Sequence, residues 1–357
     1  MKRLITYSFV MLFTLLAHSV IAKELVLPQK SIVDFHVHVA GLGYGNSGCF
    51  INDSMKNNYR FPFYLMAMGV TEDELKEHGD RVLFEKISAA VSQSSSVNKA
   101  VILAMDGVIN EKGELDKNKT LVYIPNEYVY EETRKYNNLL FAASINPYRP
   151  DALQRLQQVS DQGAVLIKWI PSIMMIDPAD TRLTAFYQKM IELNMPLLTH
   201  TGMEKSFPGA RDELADPEKL RLPLQLGVRV IAAHIATTGE SEGQDNFERI
   251  LPMFKQYPNL YADISSLTQI NKLGYMKKAL AAPELSGRLI YGTDWPLQFF
   301  PLVSAWYHVN MIGVKNAIAI SKMDNQWDRD VALKLAMGVN EDTFMLGSTL
   351  FIKPTIQ

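Results

Sequence analysis

Ile32-Val33-Asp34-Phe35-His36-Val37-His38-Val39 is a short, mostly apolar run that closes on two histidines. Its apolar positions do not alternate strictly with polar ones, which is the mark of a strand buried on both faces. Seven further runs read the same way: Lys99–Met105, Leu139–Ile145, Ala164–Ile170, Met195–Thr199, Val228–Ala233, Leu260–Ile264 and Arg288–Tyr291. Amphipathic stretches lie between them. Leu183, Phe186, Met190 and Leu193 recur at three- and four-residue spacing, as do Ala152, Leu153, Leu156 and Val159 after Pro150-Asp151, and each set makes one apolar helix face. From Lys168 onward the strand ends recur roughly every 30 residues, the length of a βα unit.

Eight such units predict an α/β fold, a (β/α)8 TIM barrel, with a doubly wound open sheet as the alternative. Two long βα-loop insertions are expected, from Ala40 to about Asp80 and from Asp106 to about Tyr123. Both follow strand C-termini, where a barrel places its active site. A C-terminal helix is predicted over Asp328 to Leu346, packed outside the barrel.

Composition narrows the function classes. The chain has 357 residues, 36 basic and 38 acidic side chains, a formal charge of −2, and 47% apolar residues. These values exclude a disordered chain and a strongly basic nucleic-acid binder. One cysteine, Cys49, excludes a disulfide-stapled scaffold. Lys2 and Arg3, the uncharged run Leu4 to Ala17, and Val20-Ile21-Ala22 together read as a secretory signal peptide over residues 1–22. The expected product is one barrel domain over 23–357, exported to the periplasm or secreted, with no stable membrane span after cleavage.

The chemistry sits where the runs end. His36 and His38 close the first, and alternation puts both on one side of that strand. Lys168, His200, His234 and Asp294 close four later runs. A buried charge or imidazole at each of these places is costly unless paired or metal-bound. A divalent metal satisfies all of them together, with zinc the default for imidazole and carboxylate ligands. His78 and His308 read as surface residues. Gly239–Gly243 matches G-x-S-x-G but lacks the strand directly before its serine. Gly43–Gly48 matches G-x-G-x-x-G, yet no amphipathic helix opens at its end. Cys49 reads as an incidental thiol.

The chain resembles the amidohydrolase superfamily of metal-dependent barrel enzymes, specifically its amidohydrolase-related branch of decarboxylases, lactonases and amidases. The resemblance rests on Asp34-Phe35-His36-Val37-His38, Gly163 to Lys168, Leu198-Thr199-His200-Thr201-Gly202, Ala232-Ala233-His234 and Tyr291 to Pro296. It implies that His36, His38, His200 and Asp294 bind metal. His234 would be a second-metal ligand or a general acid/base beside Asp294. Lys168 would be carboxylated and bridge two ions, or stay free to pair with a substrate carboxylate. One or two ions, Zn²⁺ by default, remain open, and homodimers are common in the branch.

The expected function is hydrolysis of a small molecule by metal-activated water at a C–O or C–N bond. A non-oxidative decarboxylase on the same site is one alternative, and a non-catalytic binding or scaffold barrel is another. Trp295, Trp169, Arg60 and Arg149 are the candidate substrate contacts, and an arginine near the metal would favour a carboxylate substrate.

Overall fold

The computed structural model describes residues 26–352, so the signal segment expected over 1–22 lies outside the described residues. Each apolar run overlaps one strand, the second starting two residues earlier than its run: β1 Ile32–His38, β2 Val97–Leu103, β3 Leu139–Ala142, β4 Ile167–Trp169, β5 Leu197–Thr199, β6 Val230–Ala232, β7 Leu260–Asp263 and β8 Leu289–Ile290. All neighbouring pairs are parallel, in sheets ordered β1-β2-β3 and β4-β5-β6-β7-β8. A parallel bridge between Ala143 and Ile167 joins β3 to β4. A second, between Val37 and Trp295, joins β1 to the segment after β8. Around it, Phe35 N–H donates to Tyr291 O, His38 N–H to Trp295 O and Asp294 N–H to His36 O, at 3.2, 3.0 and 2.9 Å. The strands therefore follow one another in sequence order around a ring, the TIM-barrel arrangement, and the open doubly wound sheet is excluded.

Strand side chains divide between two cores. Val33, Phe35, Val101, Leu103, Leu198, Ile231 and Ile290 fill the barrel interior. Ile32, Val37, Ile102, Leu197, Val230 and Leu289 belong to a larger cluster, packed with Ile87, Leu156, Phe186 and Ile250 of the surrounding helices. Burial on both faces explains why the runs showed no polar alternation.

The C-terminal region corrects one expectation. Instead of one outer helix over Asp328 to Leu346 there are two, Gln326–Ala336 and Glu341–Phe351. The first packs outside, its Trp327 Nε1–H reaching Asp34 Oδ2 at 2.8 Å. The second closes the N-terminal end of the barrel: the Phe351 ring meets Phe35 at 6.1 Å and Tyr261 at 5.6 Å, both edge-on. Gly347 makes that closure possible, since a Cβ there would lie 2.5 Å from Phe35 Cε2 and 2.8 Å from Ile290 Cγ2.

At the other end the two insertions pair with each other through a short antiparallel ladder, Phe50–Ile51 with Val122–Tyr123. The glycine-rich Gly43–Gly48 loop wraps the buried Asp80 carboxylate, which accepts from Leu42 N–H, Gly43 N–H and Ser47 Oγ–H at 3.0, 2.9 and 2.5 Å. A carboxylate occupies the place a phosphate would need. No described helix is long and apolar enough to cross a membrane.

The barrel floor yields a stability prediction. Gly347→Val forces a side chain into filled space and lowers unfolding free energy by roughly 1–3 kcal/mol. Urea denaturation with a tryptophan signal checks it, and an unchanged midpoint would show that the floor can relax.

Candidate metal centre

Strict alternation along β1 would turn Phe35 away from the two histidines. The pairing register prevents this: Asp34 pairs with Ala100 but Val37 with Ile102, so β1 carries one extra residue at Phe35–His36. Such a bulge re-aims side chains. Phe35 fills the barrel interior while His36 and His38 both reach the cavity at the C-terminal mouth. Asp34 points outward and locks the bulge, accepting from His36 N–H, Thr293 N–H, Thr293 Oγ–H and Trp327 Nε1–H at 3.0, 3.0, 2.6 and 2.8 Å. Burial pushes its carboxyl up to about 6, against the pull of those donors.

Four donor atoms converge at the mouth. His36 Nε2 lies 3.1 Å from His38 Nε2, 3.4 Å from Asp294 Oδ1 and 3.0 Å from Lys168 Nζ, and His38 Nε2 is 3.3 Å from the same Asp294 oxygen. Zinc ligands about 2.1 Å from the ion sit roughly 3.4 Å from one another, so the spacing suits a divalent cation. His36 Nδ1 faces Asp263 Oδ2 at 2.8 Å. That contact makes Nδ1 the protonated nitrogen and leaves Nε2 bare, the carboxylate–histidine arrangement of metal sites. Burial, with Lys168 adding to it, lowers His36 to about 4, so its imidazole is neutral at physiological pH.

His200 and His234 flank this cluster. His200 Nδ1 is 3.5 Å from Glu204 Oε2, and its buried Nε2 has no partner. His234 Nδ1 meets Ser265 Oγ at 2.8 Å and Ser265 O at 3.2 Å, so its Nε2 is the bare nitrogen, 4.0 Å from Asp294 Oδ2. Burial holds both imidazoles below their usual range. Burial also opposes charge on Asp294, but the imidazoles of His234, His36 and His38 outweigh it and hold the carboxyl low. Burial pulls Lys168 down to about 8, although Asp263 and Asp294 favour its charge. His234 and Asp294 both have left-handed backbone, with φ of 58° and 64°. Strain of this kind in non-glycine residues gathers at functional sites.

The cluster floors a cavity of about 1170 Å³, counting its open mouth. The first insertion supplies apolar walls through Met55, Phe61, Leu65 and Met68, and Phe207 faces them from the loop after β5. Four expected substrate contacts lie elsewhere. Trp169 alternates away from Lys168 and packs outside the barrel on Phe186 and Tyr187, its Nε1–H donating to Ile145 O at 2.7 Å. Trp295 stacks on Trp327 at 6.2 Å, behind the strand. Arg149 makes a bidentate pair with Asp106 at 2.7 and 2.6 Å. Arg60 is exposed and donates to Lys205 O at 2.8 Å, tying the first insertion to the loop after β5. His308, expected at the surface, is buried with Nε2 against Thr268 O at 2.9 Å.

Sequence reasoning missed Asp263, Glu204, Gln269 and Lys272. Asp263 is the one polar, chargeable residue near the end of the seventh apolar run and closes its strand, so a strand-end signal like that of the other residues was present there too. Glu204 stands four residues after His200, a weak cue. Gln269 and Lys272 carry no local signal, because they lie in a loop after β7 whose path only the fold sets.

The Asp263–His36 contact predicts a measurable loss. Asp263→Asn removes the acceptor that fixes the His36 tautomer and lowers zinc affinity about 10–100-fold. Competition with a chromophoric chelator reads the change, with circular dichroism confirming the fold.

No curated protein matches the chain. Among solved structures, an uncharacterized TIM-barrel protein from Bordetella bronchiseptica is 18% identical with a TM-score of 0.50, over 74% of this chain and 86% of its own. A 5-carboxyvanillate decarboxylase from Novosphingobium aromaticivorans, complexed with manganese, is 11% identical with a TM-score of 0.47, over 92% and 99%. A dihydroorotase from Campylobacter jejuni is 16% identical with a TM-score of 0.45, over 92% and 85%. At such identities the first likeness bears on fold alone. The Amidohydrolase family model matches residues 33–306, a span that holds every strand-end residue from His36 to Asp294, and the chain therefore belongs to the amidohydrolase family of metal-using enzymes.

Proposed function

We propose that this chain is a metal-dependent hydrolase that opens a C–O or C–N bond of a small molecule. The supporting observation is the position of Lys168. Its Nζ lies among the histidine and aspartate donor atoms at the floor of the cavity, 3.0 Å from His36 Nε2. That location suits a carboxylated lysine that joins the metal ligands. His36, His38 and Asp294 would hold one ion, with His200, His234 and the modified Lys168 available to a second. Zinc fits the imidazole and carboxylate donors. A bound divalent ion supplies Lewis acidity, lowering the pKa of water and polarising the scissile carbonyl.

The chain's own residues carry the protons. Ser266 Oγ–H donates to Asp294 Oδ2 at 2.7 Å, so Oδ1 is left facing His36 and His38 and accepts the proton from the attacking water. The bare Nε2 of His234, 4.0 Å from Asp294 Oδ2, takes part in passing that proton to the leaving group. Carboxylation of Lys168 forms a bond from Nζ to the carbon of CO2 and releases a proton from nitrogen. Only the neutral amine does this, and burial brings Lys168 to about 8, where much of it is neutral. On the same proposal, residues 1–22 direct export and residues 23–357 form one barrel domain outside the cytoplasm.

Two outcomes follow. With ¹³C-bicarbonate, a carbamate carbon resonance appears in the zinc-loaded protein and grows as pH rises through about 8 at fixed dissolved CO2; it is missing from Lys168→Met. A wild-type protein without that resonance removes the support for a carboxylated lysine. Turnover of lactone and amide panels in H2¹⁸O places ¹⁸O in the product, and Asp294→Asn lowers kcat by about 10²-fold or more. Release of CO2 with no ¹⁸O in the organic product would assign the decarboxylase instead.

A further inference from the structure

The loop after β7 brings two donors to the cavity wall that the chemistry above does not use. Lys272 is 7% exposed and Gln269 5% exposed, and both line the cavity above the His–Asp cluster. Lys272 Nζ has no ion-pair partner within 4.0 Å among the described residues. The nearby acids Asp294, Glu204 and Asp263 act on it only at longer range. Gln269 Nε2 is buried with no hydrogen-bond partner. The amide N–H left unmatched in a buried wall is costly unless something supplied from outside accepts from it, and an anion there would also meet the Lys272 ammonium on the same loop.

Their backbone is held in place. Gln269 pairs with Val303 in an antiparallel bridge, Ile270 N–H donates to Leu302 O at 2.8 Å, and Lys272 N–H donates to Gln269 O at 2.9 Å. Glu204 does not bond the pair directly: its Oε1 accepts from Ser206 N–H at 2.6 Å and its Oε2 faces His200. The lining from Met55 to Met68 is mostly apolar, with Met55, Phe61, Leu65 and Met68 beside Tyr64.

We infer that Lys272 and Gln269 form an anion seat, and that the substrate is an apolar-bodied carboxylate whose scissile group lies over the His–Asp cluster while its carboxylate meets this pair. Among the described residues no arginine lines the cavity, so lysine takes the role that arginine was expected to fill. The inference deepens the hydrolase reading and rests on it for the position of the scissile group.

The test uses zinc-loaded protein and ω-carboxyalkyl hydroxamates of increasing chain length, each beside its methyl ester. The hydroxamate end reports on the metal centre and the far end on the seat. At the matching length the free acid binds about tenfold or more tightly than its ester, as expected for a charge-assisted contact. Lys272→Met erases that preference while ester affinity stays unchanged, Gln269→Ala reduces it, and Lys272→Arg retains most of it. Equal preference in wild type and Lys272→Met would overturn the seat, as would no preference at any length. Failure of acids and esters alike to bind zinc-loaded protein would instead sink the metal-site reading. Retention of the preference in Lys272→Arg separates anion binding from a merely structural lysine.

Discussion

The His36 Nδ1–Asp263 Oδ2 contact, 2.8 Å long and fully buried, governs much of the rest. Asp263 sits where water does not reach, so its charge must be matched inside the protein. It is matched by His36, by the His234 N–H at 2.9 Å and by the hydroxyl of Ser265. Each of these partners is thereby oriented. His36 presents a bare Nε2 to the mouth, and Ser265 in turn holds His234 Nδ1. One carboxylate on β7 thus sets the direction of two imidazoles that reach it from β1 and from the end of β6.

A second constraint is backbone shape. The bulge in β1 and the left-handed residues after β6 and β8 turn side chains to places that regular strands would not reach. Such geometry persists only if its surroundings over-determine it. Asp34 does this for β1, with four donors on one carboxylate. Behind β8, Lys334 bonds Asp330 at 2.7 Å and Gly292 O at 2.8 Å, and Tyr291 OH donates to Asp330 at 3.0 Å. These buried polar contacts hold the segment that carries Asp294.

The two ends of the barrel are closed differently, and the difference matters for function. The N-terminal end is sealed by the apolar face of a helix, Phe344, Gly347 and Phe351, that depends on a glycine to approach. The mouth is roofed by insertions that join through a two-residue ladder, hydrogen bonds from Asn52 to Leu121 O and Asn118 O, and one arginine contact to the loop after β5. The walls of that roof are apolar and the donors below are polar, the usual division of labour in a small-molecule cavity.

The sequence by itself determined the eight strands, their order and the residues that end them, because burial on both faces and a polar residue at the mouth leave local marks. It also placed four polar residues near the ends of their strands: His200 directly follows β5 and His234 stands two residues past β6, while Lys168 lies inside β4 and Asp294 four residues past β8. Only the tertiary structure decided which neighbours share the cavity. Trp169 and Trp295 are next to donor residues in the chain and face away from them, Trp169 because one step along a strand changes sides and Trp295 beyond the left-handed backbone of Asp294. Arg149 was drawn to Asp106, 43 residues earlier, a pairing no local pattern reports. Gln269 and Lys272 reached the cavity because a loop is pinned to Leu302 and Val303. Period and burial are properties of a few consecutive residues and can be read along the chain. Which side chain meets which across the mouth depends on register, bulges and loop paths, and these exist only once distant segments have packed.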